Sequence, residues 1–291
     1  MKAGARPRRH ARGGAAGAMM RNAKPTTEAR LKILVTIKHV IDVELNLRVR
    51  EGKLVEDGLT YVLSKWDENA LEAALQLKEA GGGEITAVTV GPERAGESLR
   101  KALAMGADKA VHVSDPATAG SDGLAFARIL AKVAQRGAYD LILAGRQSQD
   151  TDMGGTGPML AEMLRIPFVA NVVKILPGGD GALTVHRNGD AGREVVALKL
   201  PALLTANDSL NEPRLASLRG IMAAKKKPLE TLTLADLGIE PGSVGGAGAR
   251  VGIAEFLQPK ARKAGQKLEG DAEEITRKVV ELLVNEAKIF G

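Results

Sequence analysis

Short apolar runs alternate with helical patterns from Leu31 to Ala144, and this alternation restricts the possible folds more than any other feature of the chain. Lys32–Val40, Glu84–Val90, Lys109–Val113 and Tyr139–Ala144 have strand length and are rich in Val, Ile, Leu and Ala. Between them, Asp67–Ala80 carries Ala70, Leu71, Ala74, Leu75 and Leu77 on one helical face and ends at Gly81–Gly83. Glu97–Met105 reads as a helix stopped by Gly106, and Asp122–Ala134 as another. Strands separated by helices of this length form a parallel sheet covered on both faces. Such sheets bind ligands beyond the carboxyl ends of their strands. After Pro167 the pattern changes. Phe168–Leu176, Leu183–Arg187 and Glu194–Lys199 read as strands joined by Gly-rich turns at Gly178–Gly181 and Gly189–Gly192, a small antiparallel extension.

One connection stands apart. Gly145-Arg146-Gln147-Ser148-Gln149-Asp150-Thr151-Asp152-Met153-Gly154-Gly155-Thr156-Gly157-Pro158 follows the buried strand Tyr139–Ala144 and precedes a helical run, Met159–Leu164. A Gly-rich turn in that position offers free backbone N–H groups and the positive end of a helix dipole, the setting in which backbone binds phosphate. The loop alone leaves two readings open, a phosphate cradle or glycines that only shape a turn.

Composition narrows the chemistry. The chain lacks cysteine, which excludes disulfides, thiolate nucleophiles and Cys-ligated metals. His10, His39, His112 and His186 show no metal-binding spacing, and His39 and His112 lie in strand patterns as structural residues. Asp150 and Asp152 could be read as Mg²⁺ ligands. With no His or nucleophile nearby, loop-capping roles are preferred. No apolar run approaches the ~20 residues of a membrane span. Aromatics make up 2% of the chain, so the core rests on Leu, Val, Ile and Ala. Residues 1–30 hold eight Lys/Arg against one Glu, so the net charge of +6 falls to about −1 over the remainder. The body therefore lacks the basic, aromatic-bearing surface of a nucleic-acid binder. Lys225–Lys227 reads as a solvated face or subunit contact.

Residues 1–30 read as a flexible basic N-terminal extension, with no apolar core for a secretory signal. Residues 31–240 form the α/β domain. Residues 241–291 read as a linker and C-terminal helical arm, with Ile275, Val279, Leu282 and Leu283 on one face. That face fits packing on its own domain or on a partner. The expected location is cytoplasmic, or the mitochondrial matrix if the extension serves as a transit peptide.

Seven segments in order resemble the β subunit of electron transfer flavoproteins across nearly all of residues 31–240. They are Lys38 with Val40-Ile41-Asp42; Glu72–Glu79; Gly91-Pro92 with Leu99–Asp108; and the Gly145–Pro158 loop. Val185–Arg187 with Asp190, Glu194 and Leu200–Thr205 is the next, then Leu210–Arg214, then Ile221–Pro228. The chain departs from the family pattern at Ala191 and at Gly155, where Gln is common. It departs also at Ser64-Lys65-Trp66-Asp67, where the family has Asn-Pro before an aromatic and Asp.

The resemblance implies a Rossmann-like α/β nucleotide-binding fold and a heterodimer. Its α subunit would hold FAD, and this chain would hold AMP or, as in electron-bifurcating members, a second FAD. By motif position the adenine nucleotide would lie against Thr36, Ser64, Lys65, Trp66, Asp67, Val90 and the loop residues Gly145, Arg146, Gln147, Ser148, Gln149, Asp150, Thr151, Asp152, Met153, Gly154, Gly155 and Thr156. Arg214–Ala223 corresponds to a recognition loop for flavin dehydrogenases, with Arg214 and Leu218 as docking residues. No catalytic residue or metal is implied, since the chemistry belongs to flavin. Arg146, Asp150-Thr151-Asp152, Pro158 and Gly120-Ser121-Asp122 resemble bifurcating members, whereas Thr156-Gly157 resembles the AMP type. The reading taken is a carrier subunit with AMP. The alternatives are a bifurcating subunit that oxidises NADH through a second FAD, and a standalone ATP- or AMP-binding sensor.

Overall fold

The computed structural model describes residues 30–178, 181–260 and 265–289. The basic extension, apart from Arg30, lies outside the described residues, as do Gly179 and Asp180 of the Gly178–Gly181 turn. The elements in chain order are β1 (Leu31–Thr36), β2 (His39–Ile41), β3 (Val49–Arg50), β4 (Lys53–Leu54), β5 (Tyr61–Leu63), α1 (Lys65–Gly81), β6 (Gly83–Val90), α2 (Gly96–Met105), β7 (Lys109–Val113), α3 (Gly123–Gly137) and β8 (Leu141–Gly145). They continue with α4 (Thr156–Leu164), β9 (Phe168–Pro177), β10 (Ala182–Gly189), β11 (Gly192–Lys199), β12 (Ala202–Ala206), α5 (Leu218–Ala224), β13 (Leu229–Leu232), α6 (Gly245–Gly248) and α7 (Ala272–Asn285).

Nine strands form one sheet in the order β11-β10-β9-β12-β8-β1-β6-β7-β13. The pairs from β9 to β13 are all parallel, and β9-β10-β11 is the antiparallel extension, continuous with the main sheet. Strand residues alternate between two cores, as a pleat of period two requires. Ile33, Val35, Ile85, Leu141, Leu143 and Leu204 face α1 and α2. Leu34, Val88, Ile142 and Leu203 face α3 and α4. All ten are at most 3% exposed, so the central strands β1, β6, β8 and β12 are dry on both faces.

The run Lys32–Val40 is not one strand. β1 ends at Thr36, and β2 leaves the sheet to pair with β5 in a separate two-stranded ladder. Of the next two amides the first continues the β1–β6 ladder and the second leaves it, which ends the strand. Ile37 N–H donates to the Val88 carbonyl, and Lys38 N–H to the Asp67 side chain.

Local chemistry sets the ends of the helices. Asp122 caps α3 by accepting from the Ala125 amide, and Gly106 ends α2 at φ 140°, a conformation that favours glycine. Asp122 also accepts from the amides of Arg250 and Val251, which draws the chain after α6 back onto this unit. Val244 is fully buried there and Gly245 N–H donates to Ser121 Oγ, so the Gly-rich stretch after Pro241 packs on the domain as far as Gly252. A second compact unit joins Asn46–Asp57 to the segment from Ile253 onward. In it, the β3-β4 hairpin binds Gln258 through Val49 N–H, and Phe256 N–H donates to Gly52. α7 is capped by Asp271 and has no buried residue.

The segment after β12 is pinned along α1. Asn69 Nδ2 donates to the Asn211 carbonyl at 2.8 Å, and Asn211 returns the bond to the Asn69 carbonyl. Arg214 Nε and Nη2 grip Glu72, whose side chain is 4% exposed, while its Nη1 reaches Glu79. Removing one partner of a buried ion pair strands the other charge. Arg214→Met is therefore expected to destabilise the chain by about 2 kcal/mol, below the full cost of a buried pair because the arginine is partly exposed. Glu79→Gln should cost under about 1 kcal/mol. Urea unfolding of the two variants measures both.

Candidate functional site

In the sheet order, the chain runs from β1 through β6 to β7 on one side and returns to β8 and β12 on the other. The gap beyond the carboxyl ends of β1 and β8 is therefore a topological switch point, where open α/β sheets take their ligands. Thr36 ends β1, Val90 ends β6 and Gly145 ends β8.

α1 starts at this gap. Ser64 is its N-cap residue, and Asp67 in its first turn is 7% exposed. One Asp67 oxygen accepts from Lys38 N–H at 2.8 Å, just past β1, and the other from Gly145 N–H at 2.9 Å, the last residue of β8. The carboxyl group thus ties the two strands that flank the switch point. Gly145 is needed for this approach. A Cβ there would lie 2.5 Å from Asp67 Oδ1 and 2.8 Å from Trp66 Cβ. Burial pushes the Asp67 pKa up to about 7, against the two backbone N–H bonds and the Lys38 charge that favour the ionised form.

The loop leaving β8 is held by its own side chains. Arg146 N–H donates to the Ala206 carbonyl, and its guanidinium donates twice to Gln147 Oε1. Gln147 donates to Asp152, Ser148 Oγ meets Thr151 Oγ1 at 3.0 Å, and Asp152 adopts φ 52° with its N–H on the Ser148 carbonyl. The tip is bound across the gap. Lys38 Nζ contacts Ser148 Oγ and the Asp150 carboxylate, and Lys65 N–H donates to Gln149 Oε1. Met153 is exposed, and a Cβ at Gly154 would come 2.9 Å from the Arg146 carbonyl oxygen.

α4 begins at Thr156 with Gly155 as its N-cap residue and no capping side chain. Its Thr156 hydroxyl lies next to Gly123, the first residue of α3, where a Cβ would sit 3.2 Å from it. The uncapped start of α4 thus lies beside the Asp122-capped start of α3, and a bare helix N-terminus attracts anions. Ser64 Oγ is buried and has no hydrogen-bond partner among the described residues. Uncapped amides at α4 and two hydroxyls suit an anionic, polyhydroxylated ligand. Among the described residues no group of three or more His, Asp or Glu could hold a metal ion, and no helix is long and apolar enough to cross a membrane.

A family model described as the electron transfer flavoprotein domain matches residues 51–237, which include most of this site. The electron transfer flavoprotein subunit beta of Bacillus subtilis is 38% identical over 261 residues, 89% of this chain and 100% of that protein. The proteins of the same name from Methylophilus methylotrophus and Bos taurus are 38% and 39% identical over 89% and 87% of this chain, and over 99% and 98% of their own lengths. The chain belongs to the electron transfer flavoprotein β-subunit family.

Within this β-subunit chain, the nucleotide residues expected from sequence gather around one gap, from Thr36 and Ser64–Asp67 to the loop Gly145–Thr156. The two docking candidates lie elsewhere. Arg214 is engaged by Glu72 and Glu79 on α1, and Leu218 opens α5, 83% exposed. α5 sits tightly on the end of α2, where a Cβ at Gly220 would lie 2.2 Å from the Ala104 carbonyl oxygen. His39 Nδ1 bonds Ser98 Oγ and its ring stacks on Tyr61, and His112 Nε2 bonds the Gly91 carbonyl, both within the packed body.

Sequence reasoning placed Lys38 in a motif but gave it no role at the site. It missed Asn171 altogether. Asn171 sits at φ 61° beside a register shift in β9 and links Thr205, Asn188 and Asn207 to the Arg146 side chain. Asparagine tolerates that backbone region better than most residues, which is the one signal a sequence could carry.

The Asp67 pKa makes a testable statement. Its folded-state value of about 7 stands above the ordinary carboxylate value, so the folded chain holds an extra proton between about pH 4 and 7. The contribution of Asp67 to stability is then largest near pH 4 and falls as pH rises to 7. In urea unfolding, the stability of the wild type relative to Asp67→Asn is expected to drop across that window by about 1.4 kcal/mol per unit of raised pKa, and to level off above it.

Proposed function

We propose that this chain is the β subunit of a heterodimeric electron transfer flavoprotein that holds AMP at the switch-point gap. It would support an α subunit that carries FAD and accepts electrons from flavin dehydrogenases. One observation carries the reading. The loop Gly145–Thr156, inside the region matched to the electron transfer flavoprotein domain, spans the gap between β8 and α1 and ends at the uncapped start of α4, beside α3. A nucleotide phosphate fits the uncapped first turn of α4 and the Thr156 hydroxyl. The ribose and adenine fit Ser64, Trp66, Thr36 and Val90. AMP supplies no redox chemistry, so this chain's role would be to position its partner's flavin and to dock the electron donor.

Docking is assigned to the ridge around Leu218. Leu215, Leu218, Ile221 and Met222 are exposed together on and before α5, where a transient partner would find an apolar anchor with a polar rim. Arg214 contributes by fixing the approach to this ridge. Leu218→Ala is expected to slow electron acceptance from the dehydrogenase by about fivefold, the scale of a modest hot spot, with flavin content unchanged. Stopped-flow transfer rates beside flavin absorbance test it, and an unchanged rate removes Leu218 from docking.

The cofactor assignment is tested by copurifying the chain with its α subunit, denaturing the complex and quantifying the released nucleotides. One FAD with one AMP per heterodimer supports the carrier reading. Two FAD without AMP would make this chain part of a bifurcating enzyme. ATP bound by the chain alone, with no α subunit, would indicate a sensor.

A further inference from the structure

The structure assigns Lys38 a positioning role: its ammonium group latches the tip of the loop Arg146–Asp152 closed over the gap, and so sets how slowly a bound adenine nucleotide leaves. This rests on the reading of the gap as an adenine-nucleotide site. Lys38 is well placed for the task because its own backbone is fixed. Its N–H donates to Asp67 Oδ2 at 2.8 Å, which locks the residue to the first turn of α1. From there Nζ reaches Ser148 Oγ at 3.2 Å and the Asp150 carboxylate at 2.9 Å, residues more than a hundred positions later in the chain.

The next wall residue reinforces the contact. Lys65 N–H, at the start of α1, donates to Gln149 Oε1 at 2.7 Å. Three consecutive loop residues, Ser148, Gln149 and Asp150, are thus bound to the far side of the gap. The base of the same loop is bound through Gly145 and Arg146 N–H groups. Burial works against the Asp150 charge, but the Lys38 ammonium and the Ser148 hydroxyl outweigh it and hold the carboxyl below its usual range. The left-handed backbone at Asp152 is a local cost that these contacts offset. A loop tied at its base and at its tip opens only when its tip is released. Opening at Lys38 is the step a departing nucleotide would need.

The experiment uses the purified heterodimer as wild type, Lys38→Met, Asp150→Asn, the double variant and Lys38→Arg. Two quantities are read: the rate at which the adenine nucleotide is lost on dilution, and amide hydrogen exchange over residues 147–152. Each single variant is expected to accelerate loss about fivefold, the scale of a partly exposed ion pair. The double variant should be no faster than either, because both remove the same contact. Lys38→Arg should restore most of the retention, and exchange should rise in both single variants.

Faster loss in Lys38→Met with Asp150→Asn unchanged would mean that Lys38 acts on the nucleotide itself, and would overturn the latch. So would exchange that is unchanged in both single variants. A wild-type complex that holds no adenine nucleotide would sink the functional reading instead, while the exchange data would still decide whether Lys38 holds the loop.

Discussion

Asp67 is the point on which the site depends. One carboxyl group, removed from water, accepts a backbone N–H from the end of each of two neighbouring strands. Those strands diverge in the winding of the sheet, so the gap between them is where backbone amides lack ladder partners. Filling it with a side chain from the first turn of α1 satisfies both amides and fixes the helix over the sheet. The arrangement works against the ionised carboxylate, whose solvation is lost. Two short hydrogen bonds and the positive end of α1 offset part of that loss.

The rest of the site is built outward from this contact. Gly145 has no side chain because Asp67 and Trp66 occupy the space. The loop after it then crosses to Lys38, whose N–H holds Asp67, and to Lys65 at the start of α1. Its far end delivers the bare first turn of α4 next to the start of α3. The donors of Lys38, Lys65 and Gly145 are taken up by the protein itself, which leaves the uncapped start of α4 open at the gap.

The local part of this design was legible in the sequence. The Gly106 stop, the apolar runs of β6 and β7, the helix from Asp122 and the Gly-rich loop each depend on residues within a few positions of one another. What escaped depends on distant partners. β12 and β13, of five and four residues, lie outside the strand–helix alternation that marks β7 and β8, and are strands by lying parallel to β8 and β7. The split of Lys32–Val40 follows from the Asp67 side chain drawing off the Lys38 amide, which no apolar pattern encodes. Lys38 with Asp150 and Arg214 with Glu72 are separated by 112 and 142 positions. Their roles become visible only once the chain is folded.

The 17 residues of α1 make a rod of about 25 Å. Its first turn holds the strand ends and the loop tip, and its flank holds Asn211 and Arg214 just ahead of the apolar ridge. The spacing between the gap and the approach to that ridge is therefore gauged by a single stiff member. Loops of the two regions can vary in sequence and length without altering the distance at which their contents are presented.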